Sequence, residues 1–370
     1  MSQAATAGRF VPPTSDGLLP RVAIWVRANL FGSRLNTFLT LIVALLAWLV
    51  IPPVFRWAVT QATISGVSKA ACVSGGACWT FIRMRLPTFF YGHYPSSQLW
   101  RVYLSLGLMA LFCWPVLRAR MAHRWIYVVM LLTAFPVIAA VLLSGGVLGL
   151  RFVDTSLWGG LMLDVIIAFT TVAGSLPLGV VLALGRRSRL PVIRTLATGF
   201  IELWRGVPLL TVLFMSAVMV PLFLPQGVSV DRLLRAIVAL ILFNAAYMAE
   251  VVRGGLQGVP MGQEEAATAL GLSWWKLQAF VVLPQALRIV VPGIVNTVVD
   301  LFKDTTLVTI IGLTDLLGAV EQALKDPAWL GFATEGYTFS AVVFFLCCAA
   351  MSAYGRSFER RLARGAVTTI

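Results

Sequence analysis

The chain has 370 residues, of which 59% are hydrophobic and only 12% charged, with a mean hydropathy of +0.88. Soluble domains hold roughly 45–50% apolar and about 25% charged residues, so a soluble enzyme of this composition would lack the polar groups to cover its surface. The net charge of +14 would suggest nucleic acid in a soluble protein, whereas in a membrane protein Lys and Arg first set topology. Five cysteines and two histidines are too few and too scattered for a Cys/His framework, so no metal site is expected.

In chain order, eight stretches are apolar enough over roughly 20 residues to cross a bilayer: 36–55, 99–117, 125–147, 157–184, 207–224, 233–252, 286–303 and 337–355. The first follows a basic segment (Arg9, Arg21, Arg27, Arg34) and lacks a small-residue cleavage pattern, so it reads as a retained span. Eight crossings put both termini on one side. With both cytoplasmic, 19 of the 29 Lys and Arg fall inside, as the positive-inside rule requires. The first outside loop, 56–98, runs against this bias with Lys69, Arg83 and Arg85. It also holds Cys72 and Cys78; an oxidising periplasm and a turn at Gly75-Gly76 permit a bridge, but spacing alone does not decide it. Cys113, Cys347 and Cys348 read as packing residues in spans, and His93 and His123 as surface histidines.

The chain divides by character into a cytoplasmic segment 1–35, a three-span region 36–150, a core 151–356 and a tail 357–370 anchored by Arg360 and Arg361. Ionisable and amide groups in or near the spans, Asp164, Asn244, Glu250, Asn296 and Asp300, belong to the core. Such groups are costly in a membrane and usually functional. Asn244, Tyr247 and Glu250 recur at i, i+3 and i+6 on span six, and Asn296 and Asp300 at i and i+4 on span seven. They could line a substrate pathway and hold an ammonium group. Equally, Glu250 could pair with Arg253, and Asn244 and Asn296 could bond between helices. Asp164 stands alone in span four, either lining the cavity or held protonated by burial. Span seven is irregular around Pro292 and Gly293, and a re-entrant outside-facing piece is expected at 304–320. Arg205-Gly206-Val207-Pro208 opens span five, where Pro fits a first helical turn and Arg a cytoplasmic anchor.

The segment 250–288 is the most informative. Gln263 to Leu270 reads as a short helix with Glu264 and Glu265 in its first turn, where the dipole favours anions. Gly271 suits the left-handed closing residue, and Ser273 can cap a second helix carrying Trp274, Trp275, Leu277, Phe280 and Val281 that stops near Pro284. Ala266, Ala267 and Ala269 give the first helix a small face that another protein can approach. On periodicity alone, an ordinary interfacial helix accounts for the segment equally well.

Glu265-Ala266-Ala267, then Gly271, then Leu283-Pro284 resemble the EAA loop of ABC importer permeases, a coupling loop spanning 258–284 here. Glu202 to Leu210, Ala249 to Gly255, Gly262-Gln263, Pro284-Gln285-Ala286 and Lys303 to Leu307 resemble the polar amino-acid subfamily across its five-span core. Arg27 to Phe31, Ala77-Cys78-Trp79 and Tyr94-Pro95 resemble the longer permease subunit of general L-amino-acid importers, so the likeness covers nearly the whole chain. The resemblance implies an all-α polytopic membrane protein of about eight helices, a five-helix type I permease core preceded by three extra spans. It implies a multi-pass subunit of the bacterial inner membrane, forming half of an amino-acid pathway, with Glu264, Glu265, Ala266, Ala267 and Gly271 docking on an ATPase. The chain lacks a Gly-rich phosphate loop ending in Gly-Lys-Ser/Thr, so ATP and Mg2+ are expected in that partner and no cofactor in this chain. The implied partners are a second permease subunit, two ATP-binding subunits and a periplasmic amino-acid-binding protein. An ion-coupled secondary transporter is the alternative, but no half-to-half similarity is visible. An intramembrane enzyme would need a motif such as His-Glu-x-x-His or Gly-x-Ser-x-Gly, and neither occurs.

Overall fold

The computed structural model describes residues 18–72, 75–117, 124–147 and 149–367. His123, Arg118 and Arg120 lie outside them, as does the start of the N-terminal segment with Arg9. The chain forms two compact units, Met1–Thr80 and Phe81–Ile370. Spans two and three belong to the second unit, and their helices pack on the core.

In the first unit, α1 (Leu18–Leu30) precedes α2 (Arg34–Phe55), which runs on through a π turn, Arg56–Thr60. Ser33 caps α2, its hydroxyl accepting from the Asn36 N–H at 3.1 Å. No α2 side chain is buried, as befits a helix that is apolar all round. Cys72 and Cys78 are joined in a disulfide with Cα atoms 5.5 Å apart, and Thr63 pairs with Cys78 in a short bridge.

The second unit is a bundle. Helix α3 (Trp79–Tyr91) lies within the expected outside loop, 56–98. Span two is α4 (Leu99–Leu117); span three is α5 (Arg124–Leu132) and α6 (Ala134–Ser144), interrupted at Thr133. Helix α7 (Gly160–Arg186) is span four, and α11 (Arg232–Gly258) is span six. Between them the chain differs from expectation. Pro191 opens an amphipathic helix, α8 (Pro191–Gly206), and Pro208 follows a break at Val207. Helices α9 (Leu209–Phe214) and α10 (Val220–Phe223) then continue at 99° to α8 through a π turn. Pro208 is the N-cap of α9, so its missing N–H falls where no intrahelical partner is needed.

Past α11 lie α12 (Met261–Ala269), α13 (Trp274–Leu277), a π turn Gln278–Val282 and α14 (Leu283–Asp304). The helix expected to stop near Pro284 does not stop. Pro284 sits in the first turn of α14, and Trp274–Ile311 reads as one continuous 38-residue crossing. A 3₁₀ segment (Thr305–Ile311), the two-residue strand β1 (Thr314–Asp315) and α15 (Leu316–Leu324) form the expected irregular piece; α16 (Ala333–Val367) is the last span. Among the described residues seven helical stretches are long and apolar enough to span, and the bent α8–α10 pair makes eight.

Glycines set the spacing of the central helices. A Cβ on Gly179 of α7 would lie 2.6 Å from the Met248 Cβ and 3.1 Å from the Ala245 carbonyl of α11. One on Gly255 of α11 would lie 2.6 Å from the Ala286 carbonyl of α14. Close approach through small residues is how helices associate where lipid removes the hydrophobic drive. Two apolar cores result. Leu163, Ile167, Leu213, Leu240 and Val308 centre one. Ala183, Ile201, Val252, Leu256, Ala267 and Val282 centre the other, toward the end that carries α12.

Candidate functional site

Helix α12 starts at Met261, two residues before the expected Gln263, so only Glu264 lies in its first turn and Glu265 falls beyond it. Its far end closes as Gly271 predicts. Gly271 has φ +75°, its N–H donates to the Thr268 carbonyl at 2.9 Å, and the Leu272 N–H donates to the Ala267 carbonyl at 3.2 Å. These two bonds are the Schellman closure, and a side chain at the left-handed residue would strain it. Leu272 and Ala267 pack into the second core, so α12 is held from beneath. Ala267 is buried while Glu265, Ala266 and Ala269 are exposed, and the expected three-alanine face is thus split. Met261, Glu264, Glu265, Thr268 and Ala269 line a shallow concavity. Ser273 occupies the N-cap of α13 as expected, but its hydroxyl makes no capping bond.

Two side chains tether this segment to the bundle. Arg187 at the C-cap of α7 donates to Glu264 at 2.9 Å, and Gln285 of α14 donates to Gln263 at 3.3 Å. Beside them Glu250 is drawn into a cluster of arginines: Arg186 at 2.5 Å, Arg253 at 2.6 Å and Arg205 at 3.7 Å, with Arg186 also reaching Glu202 at 3.1 Å. Glu250 joins the ends of α7, α8 and α11. Its carboxylate is committed to these partners, so it is not the open pathway acid that was one of its two expected roles. Nothing local in the sequence ties Arg187 to a residue 77 positions away.

The remaining pathway residues scatter. Asn244 is buried and donates to the Leu240 carbonyl of its own helix at 2.9 Å. Tyr247 is 38% exposed, with its ring against Phe243 and under the Arg205 guanidinium. Asn296 and Asp300 share the exposed side of α14 as their spacing predicts, and Asp300 pairs with Lys303 at 2.7 Å.

For Asp164 the structure bears out burial, the second of its two expected readings. It lies in the second turn of α7, at the end opposite Arg187, and is fully buried. One oxygen accepts from the Thr305 hydroxyl at 2.7 Å and the other from the Leu316 N–H at 3.0 Å. It is neither alone nor lining a cavity. Asp315, the N-cap of α15, accepts from the Gly318 N–H at 2.9 Å and the Leu317 N–H at 3.2 Å, and Thr309 donates to it as well. Burial pushes the Asp315 carboxyl upward, and these hydrogen bonds oppose the shift. Thus two carboxylates, from α7 and from α15 itself, satisfy the first three N–H groups of α15. Gly159 and Gly160 pair with Thr314 and Asp315, while Trp158 pairs with Gly92 after α3. Nearby, Arg101 is buried with Nη1 donating to the Arg151 carbonyl at 2.8 Å.

Residues 175–364, about half of the chain, match the model of the family described as "Binding-protein-dependent transport system inner membrane component". An Escherichia coli (strain K12) protein named inner membrane amino-acid ABC transporter permease protein YhdY is 50% identical over 93% of this chain and 94% of its own length. The chain belongs to this family. It is a permease subunit, a transport component, and an ion-coupled secondary transporter is thereby set aside. The permease is also 35% identical, over 92% of its length and 93% of the relative's, to the glutamate/glutamine/aspartate/asparagine transport system permease protein BztC of Rhodobacter capsulatus. Both alignments run through the three N-terminal spans. A solved structure titled "Crystal structure of an amino acid ABC transporter with histidines" aligns over 55% of the permease and 92% of that chain, with 28% identity and a TM-score of 0.49.

Proposed function

We propose that this permease forms half of the translocation pathway of an ATP-driven amino-acid importer and takes its drive from a separate ATPase through α12. The names of the two full-length relatives support the substrate class. The observation that carries the coupling role is the pose of α12: buried Ala267 and Leu272 fix it, Gly271 closes it, and Glu265, Ala266 and Ala269 stand free on its outer side. Glu264 acts inward by holding Arg187, and Glu265, which makes no ion pair among the described residues, acts outward.

The permease itself catalyses nothing in this reading. ATP and Mg2+ belong to two ATP-binding subunits, and a second permease subunit and a periplasmic amino-acid-binding protein complete the assembly. Both termini lie in the cytoplasm, which puts α12 within reach of the ATPase and the Asp164 end of α7 at the periplasmic face. Tyr247, Asn296 and Asp300 remain open to a pathway; Asp164, Asn244 and Glu250 serve structure. Glu265→Lys tests the proposal: the variant should reach the membrane at the wild-type level and lose ATP-driven uptake. Wild-type uptake in that variant would refute the coupling role.

A further inference from the structure

Helix α7 is fastened at both ends to segments that are remote in sequence. At its cytoplasmic end Arg187 holds Glu264 of α12 at 2.9 Å. At the other, Asp164 holds both ends of the segment that follows α14: Thr305 where that helix finishes and Leu316 where α15 starts. All three groups of this second fastening are buried. The two holding points are 23 residues apart on one helix, about 35 Å at the α-helical rise. Asp164 reaches both Thr305 and Leu316 with a single side chain, beside the backbone pairing of Gly159 and Gly160 with Thr314 and Asp315.

We propose that Asp164 is a positioning residue for transport: it makes the Thr305–Leu324 segment at the periplasmic end travel with α7, whose other end follows α12. Asp164 touches no substrate. Coupling between distant sites requires an element that both ends bias, and α7 meets that requirement through these two bonds. Without the Asp164 bond the hold of α7 on this segment is looser, the segment follows α7 less completely, and more ATP is hydrolysed for each change of access.

This inference rests on the importer reading, and the experiment separates the two. The complete importer is reconstituted in proteoliposomes with wild-type permease, Asp164→Asn or Thr305→Val. Substrate uptake and ATP hydrolysis are measured together, with and without binding protein. Asparagine keeps an acceptor for the Thr305 hydroxyl and loses one for the Leu316 N–H; valine removes the other arm. Each variant should assemble normally and transport roughly tenfold less substrate per ATP hydrolysed, the size expected for leaving a buried hydrogen-bonding group without its partner. The double variant should be no worse than either single one, since both break one unit. In a Leu313→Cys background, where the probe is buried in the wild type, either variant should raise labelling by a membrane-impermeant maleimide without nucleotide. An unchanged ratio in both single variants overturns the inference, as does a fall in uptake matched by an equal fall in hydrolysis or in assembled complex. Wild-type uptake that ignores ATP would instead overturn the importer reading.

Discussion

Arg187 and Glu264 meet at 2.9 Å across 77 residues of sequence, joining the residue that caps a membrane crossing to the first turn of α12. The two side chains are about one-third exposed, 35% and 34%. Partial exposure keeps the bond's contribution to stability small, within about 1 kcal/mol. Its value is therefore in fixing where α12 points rather than in holding the fold.

The charge reversal Arg187→Glu should accordingly leave membrane insertion and thermal stability near wild type while cutting ATP-driven uptake several-fold. Restoring the pair in the opposite sense, Arg187→Glu with Glu264→Arg, should recover most of the uptake. Uptake by the swapped double variant as poor as by the single one would mean that the pair is not what orients α12.

Gly271 gives a cleaner test of the closure of α12. A Cβ there meets nothing within 4 Å, so any effect of substitution comes from the left-handed backbone alone. Gly271→Val should weaken the local fold by about 1–2 kcal/mol and reduce cross-linking of α12 to the ATPase, whereas Gly271→Asn should lose less, because asparagine tolerates this conformation. Both variants cross-linking equally well would remove the role given to the closure.

Gly179 tests the packing of the central helices. Its approach to Met248 and Ala245 leaves no room for a side chain, so Gly179→Val should drive α7 and α11 apart and cost about 1–3 kcal/mol. The expected result is a sharp drop in monodisperse protein after detergent extraction. Gly199, with open space around it, is the control: Gly199→Val should extract normally.

The spans were legible because each is a run of apolar residues, and such a run needs no partner to be recognised. Gly271 was legible for a similar reason, since a glycine after a short helix has a local meaning. The bonds of Asp164 are not legible, because its partners, Thr305 and Leu316, are more than 140 residues away and one of them is a backbone N–H. No pattern along a single helix announces such a contact. Glu250 was half legible: the local bond to Arg253 follows from i, i+3 spacing, but the bonds to Arg186 and Arg205 depend on how α7, α8 and α11 converge. The π turn Gln278–Val282 hid the continuity of α13 and α14, because Pro284 reads as a stop unless the helix is already running through it.

That continuity has a mechanical meaning. The crossing Trp274–Ile311, at 38 residues, measures about 57 Å along an α-helical rise, nearly twice the roughly 30 Å hydrocarbon layer. The helical run Trp274–Asp304, with its π turn, thus leads from the Trp274-Trp275 pair beside α12 to Thr305, one of the two residues that meet Asp164. The two ends of the permease are therefore joined along this path by helix rather than by a loose linker.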